Sequence, residues 1–234
     1  MTTVLRLAPM PFASILACLF LALSGVPATS ATDEDTKSAL ESQPAGWTDI
    51  LPPNDLKGWT RLPIPANGKP GEKLQWHVDA DKKLLICDGD GGHEWLRYDR
   101  ELGDCIFHVE WRFTRAEGKK GYNSGVYTRN SADGKIWHQA QVGSASGGFF
   151  FGDTPVMSEI KRINLSKELK GQRVQEAGEW NSYELTARGK TLTLWVNGAV
   201  TSVFRECEVP RGYVGLEAEG YRIEFRNVKL KELR

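Results

Sequence analysis

Residues 214–219 alternate strictly, with Val214, Leu216 and Ala218 on one parity and Gly215, Glu217 and Glu219 on the other. A period of two is a β-strand with one buried face. It stands two carboxylates side by side on the opposite, open face of a sheet. Gly220 permits a kink, and Ile223, Phe225, Val228 and Leu230 carry a second strand towards the C-terminus. Two acids so placed are either a solvated strand face or the carboxylates of a sugar-processing site, and other segments must choose between these.

The same period recurs along most of the chain. Strands are expected over 74–78, 84–87, 95–98, 105–113, 125–129, 137–142, 182–187, 192–196, 200–204, 213–218 and 223–230. Asn197-Gly198 between Thr193–Val196 and Ala199-Val200 is the strongest hairpin signal, a type I′ turn. One short helix is expected within 163–174, capped by Ser166. Many short strands, 24 Gly and 11 Pro, with no strand–helix–strand alternation, define an all-β sandwich of two antiparallel sheets with neither an internal repeat nor a second domain.

The first 31 residues read as a secretory signal peptide: Arg6, the apolar run 12–23, then small residues at 28–31. The run is too short for a membrane span, and Cys18 lies inside it rather than after it, unlike a lipidated cysteine. Residues 32–45 are polar and mostly acidic, a flexible leader, and 46–234 form the folded domain. The protein is therefore expected to be secreted or periplasmic. Basic and acidic residues number 30 each, and Arg6 is the only charge in the first 31, so the remainder carries 29 − 30 = −1. Neither nucleic acid nor an anionic membrane is an expected partner. Cys87, Cys105 and Cys207 make no disulfide framework or metal spacing and are expected as buried thiols.

Strand parity sorts the remaining polar residues. Phe107, Val109, Trp111 and Phe113 form one face, leaving His108, Glu110 and Arg112 opposite, where charged pairs also serve as ordinary cross-strand partners. Val126 marks the core side of its strand, so Asn123, Tyr127 and Arg129 face away. Trp137, Gln139 and Gln141 share an open face, whereas His138 falls on the core side with Ala140 and Val142. A bulge beside Trp137 would turn His138 outward as an acid–base candidate. Aromatic rings stack on sugars, and amides and carboxylates bind their hydroxyls. The histidines show no zinc spacing, and Asp88-Gly89-Asp90-Gly91-Gly92 reads as a tight polar turn rather than a calcium loop. The glycine- and serine-rich run 143–148 before Phe149-Phe150-Phe151 reads as a loop shaping a site, its phenylalanines packed down or lining a cleft.

The closing segment EGYRIEFRNVKLKEL, with Asp55-Leu56-Lys57-Gly58-Trp59, Trp95-Leu96-Arg97, Gly103-Asp104, Asn123-Ser124-Gly125-Val126, Gln139-Ala140-Gln141, Trp180-Asn181 and Trp195-Val196-Asn197-Gly198 in order, resembles the 3-keto-disaccharide hydrolase family over residues 47–233. The resemblance implies a concanavalin-A-like jelly roll acting on an oxidised sugar or glycoside with a ketone at carbon 3. It would act by elimination and hydration, on substrate oxidised by a separate dehydrogenase. For that chemistry the open-face carboxylates supply the base: Glu219 is the expected base, with Glu217 as its neighbour or a metal ligand. Arg129 becomes the enolate stabiliser, and His138 a further acid–base candidate. Asn123, Tyr127, Trp137, Gln139 and Gln141 bind substrate, and a divalent metal ion is a possible cofactor. The family pattern has Glu-x-Gln in the central strand and His before the late glycine, where this chain has Gln139-Ala140-Gln141 and Glu219-Gly220. The chain is thus a subgroup with an altered base or metal site, or one that has lost activity. A non-catalytic carbohydrate-binding module and a conventional glucanase are the competing readings.

If the signal peptide is cleaved as expected, intact-mass analysis of the exported protein gives a start near Ala31 or Thr32. A lipid-modified Cys18 would overturn this.

Overall fold

Fifteen strands form in a computed structural model that describes Met1 and residues 36–234, eleven at the expected places and four more at 48–49, 59–63, 147–156 and 159–164; the expected signal peptide and the first residues of the leader lie outside the described residues. In chain order they are β1 (Thr48–Asp49), β2 (Trp59–Pro63), β3 (Trp76–Asp79), β4 (Leu84–Cys87), β5 (Glu94–Tyr98), β6 (Cys105–Phe113), β7 (Asn123–Asn130), β8 (Trp137–Gly143), β9 (Gly147–Val156), β10 (Glu159–Asn164), β11 (Asn181–Arg188), β12 (Thr191–Val196), β13 (Ala199–Phe204), β14 (Tyr213–Ala218) and β15 (Ile223–Glu232). The back sheet runs β13-β12-β11-β6-β15-β4-β3, with β1 also paired to β15, and the front sheet runs β10-β9-β8-β7-β14-β5-β2. All pairings are antiparallel. This is the expected jelly-roll sandwich.

The core lies between the sheets. Phe107, Val109, Trp111 and Phe113 of β6 are buried in one cluster with Val126, Ala140, Val142, Leu216 and Ala218 of the front sheet. Trp111 meets Phe113 and Tyr183 edge-on at 5.6 and 5.4 Å, contacts worth about 0.5–1.5 kcal/mol each beyond burial. Asn197 and Gly198 take φ of 42° and 104°, the paired positive values of the type I′ turn expected there. The uneven step from Phe225 to Val228 is a bulge in β15, with Asn227 at φ 48°. Cys87, Cys105 and Cys207 are free and buried.

Three segments differ from expectation. Residues 163–174 contain a single 3₁₀ turn, Ser166–Glu168, because Ile163 and Asn164 complete β10 against β9. The glycine-rich run read as a loop becomes β9 from Gly147, with Phe150 in the core. The described part of the leader is docked rather than free: Ser38 caps a one-turn α-helix, α1 (Ala39–Ser42), and Glu184 accepts from Ala39 N at 2.6 Å and Leu40 N at 2.9 Å. Among the described residues, no helix is long and apolar enough to cross a membrane.

His138 sits in the core, fully buried, with Nε2 2.8 Å from Thr154 Oγ1. Burial lowers its pKa from 6.5 to about 4. Between those values the unfolded chain binds a proton that the folded one refuses, so stability is lost as pH falls through the window. The cost across it is roughly 3 kcal/mol. Urea unfolding at pH 7 and pH 4.5 should show wild type losing about 2–3 kcal/mol more than His138→Gln on acidification. Equal losses would exclude a buried neutral imidazole.

Candidate active site

Two glycines on the open face of the front sheet allow the site to form. Gln139 on β8 and Glu217 on β14 are separated by β7, where Gln139 pairs with Tyr127 and Leu216, next to Glu217, pairs with Val126; Gly125 lies one step further along β7, on the diagonal between the two side chains. A Cβ at Gly125 would lie 2.1 Å from Gln139 Nε2; without one, the Gln139 side chain crosses the strand and donates to Glu217 Oε2 at 2.5 Å. Gly215 does the same for Trp95 of β5, whose indole occupies the space a Cβ would fill and reaches Tyr127 on β7, ring centroids 5.5 Å apart. These side chains form the floor of a cleft of about 400 Å³.

Glu217 is buried and held by three partners. Tyr127 donates to Oε1 at 2.6 Å, Gln139 to Oε2, and His93 Nε2 lies 2.9 Å from Oε1. Burial first, and then Glu217, push the Tyr127 hydroxyl well above its ordinary pKa, so it stays a donor. The hydrogen bond to Glu217 raises His93, favouring imidazolium beside the carboxylate. Glu219 is half-buried on the same face, 3.9 Å from His93 Nε2. Its pKa is raised by burial and then by the Glu217 charge, against the opposing influence of His93 and a hydrogen bond from Asn123. Gln141 donates to Asn123 Oδ1 at the same end.

The opposite end of the cleft is aromatic. Trp137 on β8, Asp153 on β9 and Arg162 on β10 are cross-strand partners. Trp137 Nε1 donates to Asp153 Oδ2 at 3.2 Å, and Arg162 grips both oxygens of Asp153 through Nε and Nη2. Phe151 meets Trp137 edge-on at 5.2 Å. The Arg162 guanidinium lies 5.4 Å from the Trp137 ring centroid and 5.0 Å from that of Phe151.

Of the residues singled out in the sequence, Glu217, Glu219, Asn123, Tyr127, Trp137, Gln139 and Gln141 line this cleft. Arg129 and His138 do not. In β7 the register advances three residues, Tyr127 to Asn130, against two in β14, and Arg129 adopts φ 53°. This bulge sends Arg129 into the protein, 1% exposed, where Nη1 donates to Val209 O at 2.5 Å and Nη2 to Asp104 Oδ1 at 2.6 Å. Asn130 takes the cleft position instead. For His138, β8 pairs regularly with β7 and β9 beside Trp137, so no bulge turns it outward. His93, Trp95, Asp153 and Arg162 were missed. His93 precedes β5, whose register of Trp95 with Glu217 brings it opposite Glu219; parity counted back from Trp95 places it on that face once the pairing is known.

His93, Glu217 and Glu219 offer ligand atoms that all lie within 4.8 Å of one another. One imidazole and two carboxylates suit a divalent cation such as zinc or manganese. Tyr127 and Gln139 already brace Glu217 from outside, as partners of a ligand carboxylate do.

The sandwich is similar to several solved structures. A candidate glycosyl hydrolase of Parabacteroides distasonis matches with a TM-score of 0.58 at 16% identity, over 86% of this chain and 100% of its own. A lichenase, a β-1,3-1,4-glucanase from a mouse hindgut metagenome, gives 0.54 at 10% identity over 80% and 98%. The carbohydrate-binding module CBM66 of Bacillus subtilis gives 0.52 at 15% over 75% and 96%. These likenesses show the fold. The chain belongs to the 3-keto-alpha-glucoside-1,2-lyase-like domain family, whose sequence profile matches residues 46–231; this is the 3-keto-disaccharide hydrolase family of the sequence resemblance. Among curated proteins, none matches the chain.

Gly125→Ala tests the floor. Its Cβ must expel the Gln139 amide from Glu217, at a cost of about 1–3 kcal/mol for overpacking. The double variant Gly125→Ala/Gln139→Ala should recover much of that stability in thermal unfolding. No recovery would show that Gln139 does not lie across the glycine.

Proposed function

We propose that this cleft cleaves glycosides already oxidised to a ketone at carbon 3, by elimination followed by hydration. The carrying observation is the inequality of its two carboxylates: Glu217 is saturated by Tyr127, Gln139 and His93, whereas Glu219 is half-buried beside it with a raised pKa. A general base works best with its pKa brought towards the working pH. Glu219 removes the proton from carbon 2, which the ketone has acidified, and the electron pair moves onto the carbon 3 oxygen. The enolate then collapses, carbon 1 and carbon 2 become doubly bonded, and the bond from carbon 1 to the aglycone oxygen breaks. The proton held by Glu219 passes to that oxygen. Water adds across the new double bond, hydroxide to carbon 1 and hydrogen to carbon 2, completing a net hydrolysis. His93, as imidazolium, takes the stabilising role first assigned to Arg129. Asn123 and Gln141 bind sugar hydroxyls, and the signal peptide sends the protein out of the cytoplasm to meet its substrate.

The three ligand atoms within 4.8 Å favour a second reading, in which His93, Glu217 and Glu219 hold a divalent cation. Such a cation supplies Lewis-acid stabilisation of the ketone oxygen. The two readings compete for Glu219 and differ in their response to a chelator. A conventional glucanase is disfavoured by sequence. The E-x-D-x-x-E motif of laminarinase-type enzymes is absent from the sequence, although the closeness of Glu217 and Glu219 is itself compatible with a retaining pair.

The protein is offered a 3-keto glucoside and the unoxidised parent, each before and after chelation. Cleavage of the first alone is expected, and Glu219→Gln should lower turnover by roughly 10² to 10⁴ while substrate still binds. Activity lost on chelation and restored by metal selects the cation reading. Cleavage of the parent glucoside selects a glucanase, and binding of sugar with no turnover of either selects a binding module.

A further inference from the structure

We infer that the β8–β10 end of the cleft is an aglycone subsite shaped for a flat aromatic group rather than a second sugar; this rests on the proposed cleavage only in naming the group an aglycone. The two ends of the cleft differ in hydrogen-bonding capacity. At the acidic end, His93, Asn123, Gln141 and Glu219 are linked to one another or to Glu217. They nevertheless gather a half-buried carboxylate, an imidazole and two amides at one place, where they can exchange hydrogen bonds with the hydroxyls of one pyranose. At the other end the charged groups are occupied with one another. Both oxygens of Asp153 are taken by Arg162, and Oδ2 also receives Trp137 Nε1. Lys135, on the same rim, is paired with Asp133 at 3.0 Å.

What remains is a surface of ring faces and a planar guanidinium. Trp137 is fixed by its hydrogen bond to Asp153 and wedged between Phe151 at 5.2 Å and Tyr127 at 6.3 Å, both edge-on. Arg162 lies over Trp137 and Phe151 and is held in that plane by its two-point grip on Asp153. A pyranose placed here would leave hydroxyls without partners, at the cost of their desolvation. A flat aromatic ring has few polar groups to lose and stacks on both indole and guanidinium. The cleft volume of about 400 Å³ is in the range of pockets for small two-part ligands.

The test needs no turnover. Calorimetry compares 2-naphthol with decahydro-2-naphthol, which has the same skeleton, puckered and saturated. Wild type should bind the aromatic compound at least about tenfold more tightly, and Trp137→Leu should weaken it by about three- to tenfold while leaving the saturated compound unchanged. Arg162→Gln, on the exposed strand β10 and so without risk to the core, should weaken 2-naphthol similarly. Equal affinity for both compounds would reduce the subsite to an apolar hollow. Unchanged 2-naphthol binding in both variants would overturn the assignment, as would its displacement by cellobiose in wild type but not in Trp137→Leu. If 2-naphthol binds as expected but no 3-keto glycoside is cleaved, the aromatic subsite stands and the proposed reaction falls. If a 3-keto glycoside is cleaved but 2-naphthol shows no selective binding, the reaction stands and the aromatic subsite falls.

Discussion

The cleft is organised around one buried carboxylate. Glu217 projects from the middle of the front sheet into a position where water cannot solvate it, and an unpaired buried charge costs several kcal/mol. Three partners from three other segments offset that cost: Tyr127 from β7, Gln139 from β8 and His93 from the start of β5. Each is thereby drawn to one point on the sheet. Because Gln139 must cross β7 to arrive, Gly125 cannot carry a side chain. Glu217 also acts on its neighbours: its hydrogen bond raises His93, and its charge adds to the larger effect of burial in raising Tyr127 and Glu219. A single ionised group thus sets both the shape and the protonation of the site.

The departure from the family pattern gains a physical meaning in this light. With Gln rather than Glu at 139, the central strand supplies a donor to Glu217 instead of a second acid, which would repel it. With Glu rather than His at 219, the acid returns on the neighbouring strand, and His93 from β5 brings imidazole back into the cluster. The set of one histidine, carboxylates and amides is retained with its members redistributed among adjacent strands. That redistribution argues against simple loss of the site.

Arg129 illustrates how a polar residue leaves a functional face. Its bulge points the guanidinium at Asp104 and at the Val209 carbonyl, so it ties the end of β7 to the turn before β6 and to the segment before β14. Arg129 is buried while Asp104 is part-exposed, so removing Asp104 would leave a buried guanidinium with one partner fewer. Its contribution is to the frame that carries the cleft. His138 likewise belongs to the frame, as a neutral imidazole between Thr154 and the Phe204 ring.

The sequence alone determined the architecture, because alternation with period two is a local property that survives any arrangement of the strands. The same alternation assigned Glu217, Glu219, Asn123, Tyr127, Trp137, Gln139 and Gln141 to an open face, and all seven line the cleft. It could not reveal the β7 bulge, since an inserted residue leaves no mark in the apolar pattern when Thr128 is polar and yet buried. Nor could it find His93, Asp153 and Arg162. Their roles arise from which strands are neighbours, β5 beside β14 and β10 beside β9 beside β8, and strand order depends on long-range pairing. The local chain determines which face a side chain takes; only the tertiary structure decides what stands beside it.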